Sequence, residues 1–214
     1  VSIRRAFAAN IVPAAALWSF AGLLLLLYSF NPPTRDLLNS LAVVKNNLGL
    51  GFSMPAQAVA AGLIPFFFQR FQKGNHNKTR LRHVPYLMLC FACMGAATDL
   101  FYVLQARLFG NGTDAVTIIS KILLDMLVYC PVWSMPFAVL IFEFKNAGFN
   151  RSALLQRIGK AWYAKSVVPV WIAGLMVWTP TVAVIYSLPL PLQFPVQAIV
   201  TVLWGLILVI LTSK

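Results

Sequence analysis

Six stretches of this chain are each long and apolar enough to cross a bilayer, and no other feature narrows its folding options as far. A hydrocarbon core about 30 Å thick takes roughly 20 mostly apolar residues of helix at about 1.5 Å rise per residue. Segments 11–30, 48–68, 84–104, 115–142, 166–187 and 195–213 meet that requirement. The fourth is the longest and is expected to be tilted or broken. Of the 214 residues, 60% are hydrophobic and 10% charged, against roughly 45–50% and 25% in an ordinary soluble domain. That excludes a soluble enzyme and a disordered tail. The sequence therefore predicts an all-α, polytopic integral membrane helical bundle of about six transmembrane helices, with residues 1–214 forming a single membrane domain. Arg4 and Arg5 precede the first segment as in a secretory signal, but Tyr28-Ser29-Phe30-Asn31-Pro32 offers no small-x-small cleavage site, so the segment reads as a retained span.

The net charge of +12 is explained by where the basic residues fall. Arg4 and Arg5, then Arg70, Lys73, Lys78, Arg80 and Arg82, then Lys145, Arg151, Arg157, Lys160 and Lys165, and finally Lys214 occupy alternate connections and the two ends. The opposite connections hold only Arg35, Lys45 and Arg107, while Lys121 sits inside a span. This asymmetry is the positive-inside pattern, so both termini are expected on the cytoplasmic side, or the matrix side in an organelle. Attraction to anionic lipid headgroups accounts for the charge, and nucleic acid is not needed as a partner. The loop from Gln69 to His83 in particular can contact lipid headgroups or phosphorylated solutes, or simply set topology.

Residues 149–163 place Leu154, Ile158 and Trp162 at every fourth position, with Arg151, Arg157 and Lys160 on other faces, which predicts an interfacial amphipathic helix. Asn150 or Ser152 can cap its start. The segment from Asp36 to Lys45 predicts a second, shorter helix of this kind.

Three ionisable side chains lie well within spans: Asp99, Lys121 and Asp125. Each would cost at least about 2.5–3.5 kcal/mol if exposed at a bilayer centre, so each should face protein or water. The third and fourth spans form a hairpin turning near Gly110-Asn111-Gly112, which brings residues 99 and 121 to similar depth, and Lys121 and Asp125 share a helical face. Either an internal ion pair fixing helix register or a charged lining of a solute path follows. The prolines at 55, 65, 85, 131, 136, 169 and 180 predict kinked or locally unwound helices. Small residues of the second span, from Gly49 to Gly62, allow close helix approach. Gln57 there is either a pore-facing group or an interhelical hydrogen bond. Cys90-Phe91-Ala92-Cys93 and Cys130 are expected to be buried packing residues. His76 and His83 lack a nearby carboxylate, so neither a metal site nor general-base catalysis is supported, and no phosphate-binding or nucleophile motif occurs.

Several short motifs over residues 48–213 resemble the Mpv-seventeen and twenty-two-kilodalton peroxisomal membrane protein family. Lys121-Ile122-Leu123-Leu124-Asp125-Met126 followed by Pro131 is similar to that family's basic-x-x-x-Asp-Gln pattern with a later Pro, with Met126 in place of Gln. Asp99 through Gly110 resembles its hairpin turn, and Gly62 through Gln69, including Pro65, falls where a Gly-x-Gly-Asp and Gln motif is usual. Trp178-Thr179-Pro180 matches its Trp-Pro signature, with Trp171 as a rival, and Trp204 matches the Trp of its last helix. Ile185-Tyr186 replaces the family's Asn-Phe. Relatives usually have four spans, which makes 11–30 an additional N-terminal span ahead of a family-like core. The resemblance implies a small integral membrane protein of a mitochondrial inner, peroxisomal or bacterial membrane, with no cofactor and a weakly selective pore as its usual proposed activity.

These observations lead to an expectation of passive passage of small hydrophilic solutes, with Asp99, Lys121 and Asp125 setting local charge and Pro131 and Pro180 shaping kinks. The alternatives are a non-transporting scaffold subunit of a membrane complex and a proton-coupled metabolite carrier. A membrane enzyme acting on lipids is weaker, because the carboxylates and the two histidines form no recognisable set. A homo-oligomer is compatible with all of these.

Overall fold

The chain turns its first corner at Asn31-Pro32-Pro33. The structure, a computed structural model, describes residues 3–71 and 79–212, and the side chains of residues 11, 14–71 and 79–206. Helix α1 (Ile3–Phe30) ends at this corner and α2 (Pro32–Leu48) leaves it at a bend of 102°. Asn31 caps α2 by accepting the Thr34 N–H at 3.0 Å, and Pro32 begins a helix whose first N–H groups have no intrahelical acceptor to lose. Arg35 donates back to the Tyr28 carbonyl at 2.9 Å and to that of Ser29, satisfying the exposed end of α1.

Six further helices follow: α3 (Leu50–Phe71), α4 (Leu81–Phe109), α5 (Ala115–Asn146), α6 (Arg151–Arg157), α7 (Tyr163–Tyr186) and α8 (Leu190–Thr212). The fold is all-α among the described residues. Four helices, α3, α4, α5 and α7, are long and apolar enough to cross a membrane, and the bent pair α1 and α2 makes a fifth if taken as one span. The six expected segments thus resolve into a coarser count. The described apolar part of α8, Leu190–Leu206, is shorter than these.

Instead of facing outward, α8 runs through the middle of the bundle, packed by α1, α2, α3, α4 and α7. Leu192, Phe194, Val196 and Val200 are buried on it, which explains why its sequence is apolar on most faces. The outer helices carry the reverse pattern. Leu100, Leu104 and Leu108 of α4 and Val116, Ile119, Leu123 and Leu127 of α5 are exposed in stripes at helical spacing. Apolar stripes of this extent turned away from the protein are what a lipid-facing surface requires.

The expected 149–163 helix is shorter than its periodicity suggests. It spans only Arg151–Arg157, because Ile158 leaves helical geometry at φ −86, ψ 64 ahead of Gly159. Its cap is Asn150, which accepts the Ala153 N–H at 3.1 Å. The 36–45 helix is longer than expected, extending over Pro32–Leu48. Lys73, Lys78, His76 and Lys214, with the side chains of Arg4 and Arg5, lie outside the described residues.

Three helices contain π-helical turns, at Ala58–Leu63 in α3, Asp125–Ser134 in α5 and Tyr163–Val167 at the start of α7. The long turn in α5 spans Pro131, where a missing N–H already interrupts the α-helical ladder. Helices α3 and α4 approach closely at Gly95, where a Cβ would lie 2.6 Å from Gln57 Cβ and 2.7 Å from the Ser53 carbonyl oxygen. Only glycine permits that approach without moving backbone.

Candidate functional site

Five helices enclose a cavity of about 620 Å³. Each contributes one face at helical spacing. Gln57, Ala61, Pro65 and Gln69 come from α3, Phe91, Met94, Thr98 and Tyr102 from α4, and Asp125 to Glu143 from α5, with Trp178 of α7 and Gln197, Thr201 and Trp204 of α8 completing it. Half of the α5 wall is the π-helical stretch, whose wider turn presents Asp125, Met126, Tyr129, Cys130 and Ser134 to the same space. Gln69 and Glu143 lie toward the bundle end where Arg70, Arg80 and Lys145 also sit. From Glu143 to Asp125 the helix runs on the order of 25 Å at about 1.5 Å per residue.

At the far end of the cavity Asp125 is held on both carboxylate oxygens. The Tyr186 hydroxyl donates to Oδ2, and the Cys130 thiol lies 3.5 Å from Oδ1. The Tyr102 ring meets that of Tyr186 edge-on at 5.6 Å, closing the space behind the carboxylate. One turn nearer the opening, Tyr129 shares a 3.0 Å hydrogen bond with Thr98 and stacks on Phe101 at 4.0 Å. Gln57 and Gln197 line the cavity, while their amide oxygens are buried out of solvent reach and accept no hydrogen bond among the described residues. Such orphaned acceptors are costly in a dry interior.

The three charged span residues do not form one cluster. Asp99 pairs with Lys45 at 2.9 Å and accepts the Ser53 hydroxyl at 2.7 Å. That meets its charge from α2, a segment whose fold the sequence left partly open, and removes the reason for Lys121 to approach it. Lys121 is 1% exposed and forms no salt bridge among the described residues, so it does not snorkel outward. Its carbonyl accepts Gln105 Nε2 at 2.8 Å just before the π-helical stretch begins. Of the three, only Asp125 reaches the cavity.

Among the motif residues, Pro65, Trp178 and Trp204 form cavity wall, and the two tryptophan rings meet at 6.5 Å. Pro131 lies in the π-helical stretch, and Pro180 inside α7. The cysteine expectation needs correction: Cys130 is buried, but Cys90 is half-buried and Cys93 exposed, because α4 turns residue 93 away from the bundle. In the basic loop, Arg70 lies over the Phe66 ring at 5.3 Å, and Arg80 and Arg82 gather beside Lys145.

The tyrosines around Asp125 and the glutamine stripe of α8 were not singled out from sequence. A signal existed for both. Gln193, Gln197 and Thr201 recur every fourth residue in an otherwise apolar helix, and a tyrosine inside a span needs a partner for its hydroxyl.

Among the described residues no three His, Cys, Asp or Glu side chains converge as a metal site would require. The fold is an all-α, multi-helix one consistent with an integral membrane protein, and its cavity ends at the buried carboxylate of Asp125. No protein-family model, curated protein or solved structure matches the chain.

Proposed function

We propose that the protein is a weakly selective passage for small hydrophilic solutes, with the five-helix cavity as its vestibule and the Asp125–Tyr186 contact as its constriction. The observation that carries this reading is the cavity itself. Its volume of about 620 Å³ falls within the roughly 300–1,000 Å³ of small-molecule sites. It runs along the helices, has a carboxylate at its deep end, and is lined by Gln57 and Gln197. Passage requires water and polar groups along a path and no covalent step, which suits a site lined by two carboxylates, hydroxyls and amides. The resemblance of Lys121 through Pro131, and of the Trp178-Thr179-Pro180 segment, to the Mpv-seventeen family supports the same activity. It also favours an inner mitochondrial, peroxisomal or bacterial membrane. On this reading the basic end of the bundle faces the cytoplasm or matrix, and α1 and α8 complete six crossings.

One feature favours a second reading, a carrier. The cavity stops at Asp125 and does not continue past Gln105 and Lys121, as a site open to one side would. Single-channel recording and solute efflux in proteoliposomes, with the Asp125→Asn variant beside the natural protein, separate the two. A pore gives discrete conductance whose ion preference changes in the variant. A carrier gives saturable efflux without unitary currents. If neither exceeds empty liposomes at any pH or voltage while folding is intact, both transport readings fail and a scaffold role replaces them.

A further inference from the structure

A second concavity, lined by a separate set of residues, lies at the basic end of the bundle. It measures about 490 Å³ and is lined by Arg80, Arg82, His83, Lys145, Asn146, Gly148 and Phe149. Three cationic side chains and an imidazole line it, and no carboxylate does among the described residues. The chain has only five acidic residues, and the acid nearest in sequence to this pocket, Glu143, already pairs with Arg157 at 3.2 Å. Asp99 is paired with Lys45, Asp125 is held by Tyr186, Asp114 caps α5, and Asp36 lies in α2. Among the described residues no carboxylate lines the pocket.

The pocket has a built floor. Helix α5 ends in a Schellman turn, with the Phe149 N–H donating to the Phe144 carbonyl at 3.0 Å and the Gly148 N–H to the Lys145 carbonyl at 3.1 Å. Gly148 at φ 66 suits the left-handed conformation, but Phe149 follows at φ 63, where a bulky side chain is disfavoured. That conformation turns the Phe149 ring into an aromatic cluster, 5.0 Å from His83, 5.0 Å from Tyr86 and 5.5 Å from Phe144. The turn also occupies carbonyls at the negative end of the α5 dipole, which would otherwise oppose an anion. On the other wall, Arg82 Nε donates to His83 Nε2 at 3.3 Å, leaving Nδ1 as the ring's donor position.

We propose that Arg80, Arg82, His83 and Lys145 bind the phosphate group of a small organic phosphate. Guanidinium groups match phosphate oxygens in a two-pronged geometry, and a lysine adds a point charge. A phosphomonoester carries about −1.5 to −2 at neutral pH, which three cations neutralise. The pocket exceeds the needs of a bare phosphate and places Phe149 where a glycerol or sugar carbon would rest. Its walls are the first turn of α4 and the last turn of α5, the ends of two apolar spans, which is also the level of lipid headgroups. The same chemistry thus admits a phospholipid headgroup or a free phosphorylated solute.

The experiment uses the full chain. Glycerol 3-phosphate binding is measured by calorimetry in neutral detergent. Phosphatidic acid retention is measured by native mass spectrometry from phosphatidylcholine nanodiscs doped with that lipid. Arg82→Gln/Lys145→Gln is compared with Arg151→Gln/Lys160→Gln, which removes the same charge elsewhere, and Arg80→Gln/Arg82→Gln provides an exposed pair in case Lys145 is needed for folding. The pocket variants are expected to weaken binding about tenfold or more, with the control unchanged. Loss in the lipid arm alone assigns the site to headgroups, and loss in both arms to soluble phosphates as well. Equal weakening by the control, or no binding of either probe by the natural protein, overturns the proposal.

Discussion

The indole N–H of Trp171 donates to the backbone carbonyl of Met126 at 2.7 Å, across the interface between α7 and α5. This bond replaces one that proline removes. In the π-helical register each N–H reaches five residues back, as Met135 does to the Cys130 carbonyl. Pro131 has no N–H, so the Met126 carbonyl five residues before it has no such donor. Pro136 likewise cannot serve the Pro131 carbonyl, and there the Tyr163 hydroxyl donates at 2.7 Å. Two side chains of α7 thereby stabilise the irregular backbone that positions Asp125, Tyr129 and Cys130.

Replacing Trp171 by Phe should therefore leave a carbonyl without a donor in an apolar setting, at a cost of about 1–3 kcal/mol. Tyr163→Phe should cost less, since Tyr163 is 41% exposed and water can substitute. The compensating change is Pro131→Ala, which restores an N–H and should recover part of the Trp171→Phe loss while being destabilising or neutral alone. Reversible unfolding in mixed micelles reads the natural protein, the three single variants and the Trp171→Phe/Pro131→Ala combination. Strict additivity of the two changes would show that the indole does not stand in for the missing amide.

The pairing of Lys45 with Asp99 makes a second expectation. Both side chains are largely buried, at 12% and 8% exposure, and the Ser53 hydroxyl shares the carboxylate. Removing one charge from such a pair leaves the other desolvated, at a cost of about 3–5 kcal/mol, whereas replacing both by apolar groups costs far less. Lys45→Met and Asp99→Leu should each unfold the protein more readily than the combination does. If the combined variant loses the sum of the two single effects, the residues act independently and the contact does not hold α2 to the bundle.

What could be read from the sequence follows the range of the forces involved. A run of some twenty apolar residues is a local property, and α3, α4, α5 and α7 lie where those runs do. The Asn150 cap is equally local, since a cap acts on amides two or three residues ahead. The Lys45–Asp99 pair was hidden because it depends on the 102° bend, which lays α2 against α8 and puts Lys45 within reach of Asp99 on α4. Lys121 and Asp125 were correctly placed on one helix, yet neighbours from α4 and α7 decide which of them reaches the cavity, and no spacing within α5 contains that information. The central position of α8 was hidden for a related reason. A helix buried in protein and one buried in lipid carry the same apolar composition, and only its glutamines distinguish them.

Outside the membrane-spanning helices, Asp114 gives the fold a pH-dependent element. Its Oδ1 accepts the Thr117 N–H at 3.0 Å and its Oδ2 the Thr117 hydroxyl at 2.7 Å, capping the start of α5. The backbone bond first, and the hydroxyl bond second, hold this carboxyl below the ordinary carboxylate range. The folded protein thus binds that proton more weakly than the unfolded chain. Its stabilising effect is complete above the unfolded value of about 3.9 and is lost as pH falls through the lower folded value. Hydrogen-exchange protection of the Val116, Thr117 and Ile118 amides should be flat from neutral pH to about 5 and decline below about 4. Asp114→Asn retains a capping oxygen that does not titrate, so its protection should remain flat over the same range. A parallel decline in both proteins would place the acid sensitivity elsewhere than in this cap.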